Sequence, residues 1–65
     1  MRDGLEMMIE DEIETEVQMA QRTLDYLLAR GVAPDAERPK YYNLENVRAW
    51  RRSLDAQYKR VMKYA

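Results

Sequence analysis

The chain has no cysteine and no histidine, and only two glycines and two prolines among its 65 residues. Ser53 is its single serine. Without cysteine there are no disulfides and no thiolate chemistry, a composition suited to a reducing compartment. Without histidine the commonest general base and the commonest metal ligand are missing, so nothing is available to activate Ser53. Gly4 and Gly31 stand apart and form no phosphate-cradling loop. No stretch approaches the roughly 20 apolar residues of a membrane span, and Met1-Arg2-Asp3-Gly4-Leu5-Glu6 lacks an apolar core of signal-peptide length. These absences predict a cytoplasmic protein that is not an enzyme and needs no cofactor.

The acids Glu10, Asp11, Glu12, Glu14 and Glu16 are crowded. Their spacing matches neither a calcium loop nor the Glu-x-x-His pattern of di-iron bundles. A solvated acidic face is predicted there, with no metal.

What the sequence has in quantity is helical periodicity. Leu5, Ile9, Ile13, Val17, Ala20, Leu24 and Leu27 recur at close to 3.6 residues, predicting a helix over about 5–30. Asp3 and Glu6 suit a capping box at its start, and Gly31 with Val32 suits a Schellman stop at its end. A link over 31–43 follows, with one short helical turn expected from Pro34 to Glu37 and an extended Lys40-Tyr41-Tyr42. Asn43 is an N-cap residue, with Tyr42 placed to staple onto Val47. It opens a second helix over about 44–64, whose expected stripe is Leu44, Val47, Arg51, Leu54, Tyr58, Val61 and Ala65, flanked by Trp50 and Met62. Arg51 is anomalous on an apolar stripe. It either snorkels at the edge with its stem packed, or is a buried polar group that sets register or meets a carboxylate.

Two amphipathic helices and a short link predict one all-α domain over 1–65, an antiparallel two-helix hairpin. Charge agrees with that layout. Residues 1–16 carry seven acids against Arg2, net −6, and residues 38–65 carry eight bases against Glu45 and Asp55, net +6. Antiparallel packing would set Glu6, Glu10 and Glu14 beside Lys59, Arg60 and Lys63. A chain this short buries too little apolar surface to be stable alone. A homodimer closing a four-helix bundle is therefore expected, with Met8, Met19, Tyr26, Leu28 and Trp50 at the dimer seam.

Recognition of another macromolecule is the expected activity. Tyrosines interspersed with arginines match the composition of protein interfaces, and methionines add an adaptable apolar surface. The residues singled out for partner binding are Tyr41, Tyr42, Arg38 and Arg48 around the link, with Glu12 and Glu16 on the acidic helix. The alternative is nucleic-acid binding by Arg48, Arg52, Lys59 and Lys63 with tyrosines as stacking platforms. A structural or assembly role stands third.

In layout, the long first helix, the Pro34/Pro39 link and the tyrosine-bearing basic second helix resemble the small dimeric helical hairpins of plasmids and phages. That group includes the Rop-like copy-number regulators, which bind paired RNA loops, and early phage proteins of the quorum-sensing anti-activator type. The resemblance implies a phage- or plasmid-encoded inhibitor or anti-activator of a host protein. It spans the whole chain as architecture and assigns no residue a role.

Overall fold

The computed structural model describes the backbone of residues 4–64 and the side chains of residues 10–64. The expected capping box of Asp3 and Glu6, the apolar positions Leu5, Ile9 and Ala65, and Met8 all lie outside the described side chains. Helix α1 spans Gly4–Ala29 and helix α2 spans Leu44–Lys63. Neither described helix is long and apolar enough to cross a membrane.

Two of the predicted boundary signals operate, the Gly31 stop and the Asn43 cap. At the end of α1, Val32 N–H donates to the Leu27 carbonyl at 2.9 Å and Gly31 N–H to the Leu28 carbonyl at 3.0 Å. Gly31 sits at φ +74°, the left-handed conformation that such a stop requires and that a side chain disfavours. At the start of α2, the Asn43 carboxamide accepts from Asn46 N–H at 2.8 Å, a cap on one of the helix's otherwise unpaired donors.

The helices pack on each other, as predicted, but in the same direction. Glu12 meets Arg48, Glu16 meets Arg51, Thr23 meets Asp55 and Tyr26 meets Met62. Sequence separations along this series are 36, 35, 32 and 36. A near-constant separation means parallel helices; antiparallel ones would hold the sum of the residue numbers constant instead. The antiparallel expectation is thus corrected, and so is the pairing of Glu10 and Glu14 with Lys59, Arg60 and Lys63; the side chain of Glu6 lies outside the described residues. With this offset Leu44 lies level with residues 8 and 9, so the first turn of α1 projects past the start of α2.

Parallel helices require the link to return along the pair. The start of α2 lies about 30 Å back from the end of α1, at 1.5 Å per residue. The 14 residues from 30 to 43 span up to about 46 Å when extended, enough to cover that distance. The link accordingly contains no helical turn, correcting the one expected at Pro34–Glu37; it bends at 35–36 and again at 40–41, where an extended segment was expected. We call it the strap.

The strap completes the core. Ala20 and Leu27 of α1 are buried against Trp50 and Leu54 of α2, with Val17, Leu24 and Val61 packed around them and with Val32 and Ala36 of the strap. The buried stripe of α2 is Val47, Trp50, Leu54 and Gln57, one helical row away from the predicted stripe through Arg51 and Tyr58. The shift arises because α2 faces two neighbours, helix and strap. Its buried side points between them, and Arg51 and Tyr58 line the edge toward α1.

Gln57 joins strap to helix. It is 5 % exposed, donates from Nε2 to the Ala33 carbonyl and accepts at Oε1 from Asp35 N–H, both at 2.8 Å. Two backbone groups of an extended segment thus find the partners that a sheet neighbour would otherwise supply. Arg60 pairs with Asp35, and Arg38 donates to the Gln21 side chain from the other edge of the strap.

Candidate interaction surface

Of the residues singled out for partner binding, Tyr41 and Tyr42 stand where the strap meets α2, with Arg48 in the first turns of that helix. Tyr41 is 77 % exposed and Tyr42 48 %. Their backbone is held at the bend. Asn46 Nδ2 donates to the Tyr41 carbonyl at 3.1 Å, and Asn43 N–H reaches the same oxygen at 3.2 Å. Because Asn43 also caps α2, one short segment anchors the helix and presents two aromatic rings outward. Ordered backbone under exposed rings reduces the conformational entropy lost on binding.

Parallel packing brings the acidic face of α1 to this same end. Glu12 lies 3.5 Å from Arg48, both about half exposed. Deeper along the seam, both Glu16 carboxylate oxygens accept from Arg51 Nη1 at 2.9 Å. The Glu16 side chain keeps only 14 % of its surface exposed, so it serves the helix–helix seam more than a partner. Arg51 takes the edge position of its two predicted roles and is not the buried polar group of the other. Its side chain is about one third exposed, yet it meets a carboxylate. The Glu16 hydrogen bond raises its guanidinium above the ordinary value; burial opposes this, and the charges of Glu16 and Asp55 reinforce it. Asp55 Oδ2 is 3.3 Å from Arg51 Nε, but that buried N–H has no aligned acceptor, so the contact is one of charge.

Arg38 sits apart from the two tyrosines, about midway along the strap. Besides bonding Gln21, its guanidinium lies 5.5 Å from the centre of the Trp50 ring. It therefore fastens strap to core and is only partly available to a partner.

The residues expected at a dimer seam do not share one face. Trp50 is 3 % exposed in the single chain, so its expected place at a dimer seam is corrected. The strap closes over it, and its indole N–H finds no acceptor among the described residues. Tyr26 is half-buried against Tyr58, ring centroids 4.8 Å apart, and its hydroxyl reaches Met62 Sδ at 2.8 Å. Met19 and Leu28 remain exposed, but nine residues of helix set them half a rotation apart. Met8 lies outside the described side chains.

Gln57, Asp35 and Asn46 escaped the sequence reading, and Arg60 was assigned to the acids of α1 instead of to Asp35. Gln57 carried a signal, since Val47, Trp50, Leu54, Gln57 and Val61 form an unbroken 3-4-3-4 series. The other three are polar residues without periodic context, and only the path of the strap gives them partners. No group of three or more acids is placed to hold a metal ion among the described residues. No protein-family model matches the chain, and no curated protein or solved structure matches it either.

Proposed function

We propose that this chain is a small non-enzymatic binding protein that restrains another protein, a host protein if the chain is phage- or plasmid-encoded, through the end carrying Tyr41 and Tyr42. The observation that carries this reading is the pinned bend. Two exposed tyrosines stand on a backbone held by Asn43 and Asn46, which is costly surface to leave in water unless something covers it. Glu12, Arg48 and Glu45 give the surroundings charges of both signs, suiting the polar rim of a protein interface.

Nucleic acid is the weaker reading on the same geometry. Of the four bases in its predicted stripe, Arg48 is engaged by Glu12 and Arg52 donates to the Arg48 carbonyl of its own helix. The acids of α1 lie toward the same end of the molecule, where Glu12 meets Arg48, and oppose an approaching phosphate backbone. Self-association into a four-helix bundle belongs to the proposal, because Met19, Leu28 and Met62 stay exposed on a core of few residues.

The test is affinity capture from a lysate of the native host, with and without nuclease. Capture of one protein should survive nuclease and be lost in Tyr41→Ala/Tyr42→Ala, whose circular dichroism matches the parent. Nuclease-sensitive capture, or capture unchanged by the double substitution, would overturn the reading.

A further inference from the structure

The strap covers one side of the groove between the helices and leaves the other side open. We infer that this open face takes a second copy of the chain, antiparallel to the first, about a two-fold axis beside Met19. The inference rests on the self-association proposed above and assigns its face and direction.

On α1 the open face is the row Glu12, Thr15, Met19, Arg22 and Tyr26, spaced 3, 4, 3, 4 as a helix–helix seam requires. The row lies along the edge where Glu12 meets Arg48 and Tyr26 meets Met62, opposite the strap. It changes character along its length. Asp11 and Glu12 stand at one end; Arg22 and Arg30 stand at the other, joined by Lys59 and Lys63 of α2. Among the described residues Arg22 and Lys59 have no carboxylate partner, and Arg30 and Lys63 lie over the rings of Tyr26 and Tyr64. Between the ends sits Met19, 41 % exposed, seven residues from Glu12 and seven from Tyr26.

A two-fold axis perpendicular to the helices at Met19 lays the acidic end of each copy over the basic end of the other. It stacks the two Met19 side chains at the centre and brings Glu12 within reach of the second copy's Arg22. An axis along the helices would set acid on acid and base on base. The antiparallel arrangement also opposes the two sets of helix dipoles, which are aligned within one copy. Leu28, on the far side of α1, and the Tyr41–Tyr42 bend stay outside this contact, so the dimer presents a tyrosine pair at each pole.

The chain has no cysteine, so one substitution introduces one thiol. Sedimentation equilibrium at micromolar concentration should give twice the chain mass. In that dimer Met19→Cys should couple to itself through a disulfide or a short bis-maleimide, and Leu28→Cys should not. Arg22→Glu, at an exposed position, should weaken the dimer by roughly tenfold, since each symmetric dimer holds two such charge contacts. A monomer mass for the parent chain overturns self-association and this inference with it. A dimer that couples through Leu28→Cys, or equally through both positions, overturns the assigned face and leaves self-association standing. A dimer indifferent to Arg22→Glu overturns the antiparallel direction.

Discussion

Replacing Gln57 with alanine is the most direct perturbation of the fold, because this side chain joins the strap to α2. The substitution removes two hydrogen bonds, to Ala33 O and from Asp35 N–H, each 2.8 Å long. Net values of about 1 kcal/mol apply to each. The buried methylene lost with them adds about 0.8 kcal/mol. Ala33 and Asp35 are themselves exposed, so water can replace the lost partners, and no large penalty for orphaned backbone groups is added. The expected loss is about 2–3 kcal/mol. A chain of 65 residues has about 3–10 kcal/mol in total, so the substitution removes a substantial share of its stability. Trp50, the single tryptophan, is buried beneath the strap and reports the transition in urea by fluorescence, with circular dichroism as the second probe. Chain concentration must be held fixed, because association adds to apparent stability. Gln57→Leu should lose about 2 kcal/mol, since it restores apolar volume without either bond. A loss below about 0.5 kcal/mol in Gln57→Ala, with the transition still cooperative, would refute the docked strap and the topology that depends on it.

Helix direction has its own test. Spin labels at Asp11 and Lys63 should lie roughly 25 Å apart in the parallel pair, against about 10 Å in an antiparallel one, from the rise per residue and the usual interhelical spacing; a short distance within one chain, read on singly diluted labelled protein, would defeat the parallel arrangement. Arg51→Met leaves the half-buried Glu16 without its bidentate partner and should cost about 1–2 kcal/mol in urea denaturation, discounted because Arg51 is about one third exposed; an unchanged midpoint would show that the pair contributes nothing net.

Much of the secondary structure was legible in the residues themselves. The α1 stripe is local information, since a 3.6-residue apolar period selects a helix whatever it packs against, and its described members from Ile13 to Leu27 are all buried or half-buried. The Gly31 stop and the Asn43 cap are equally local. Each uses a side chain or a backbone conformation within a few residues of the helix end it terminates. Tyr41 and Tyr42 could be singled out because they stand in a link with little apolar context to bury them.

The direction of α2 was not legible in the stripe, because an amphipathic row reads the same toward either terminus. One clue lay in the link, whose 13 residues from 31 to 43 exceed what a tight antiparallel turn needs. Charge misled. The acidic start of α1 and the basic end of α2 suggested mutual neutralisation, yet exposed ion pairs are worth too little to set topology. What decided it was apolar and backbone complementarity over a distance. Val32 and Ala36 fill the groove between the helices, and Gln57 satisfies the strap's backbone, which is possible only if the strap runs back beside α2. That same choice buried Trp50, engaged Glu16 with Arg51, and placed the acidic face and the tyrosine pair at one end. Local chemistry determined which segments are helices and where they stop; the tertiary structure alone decided which surfaces meet, because that depends on partners 12 to 36 residues away.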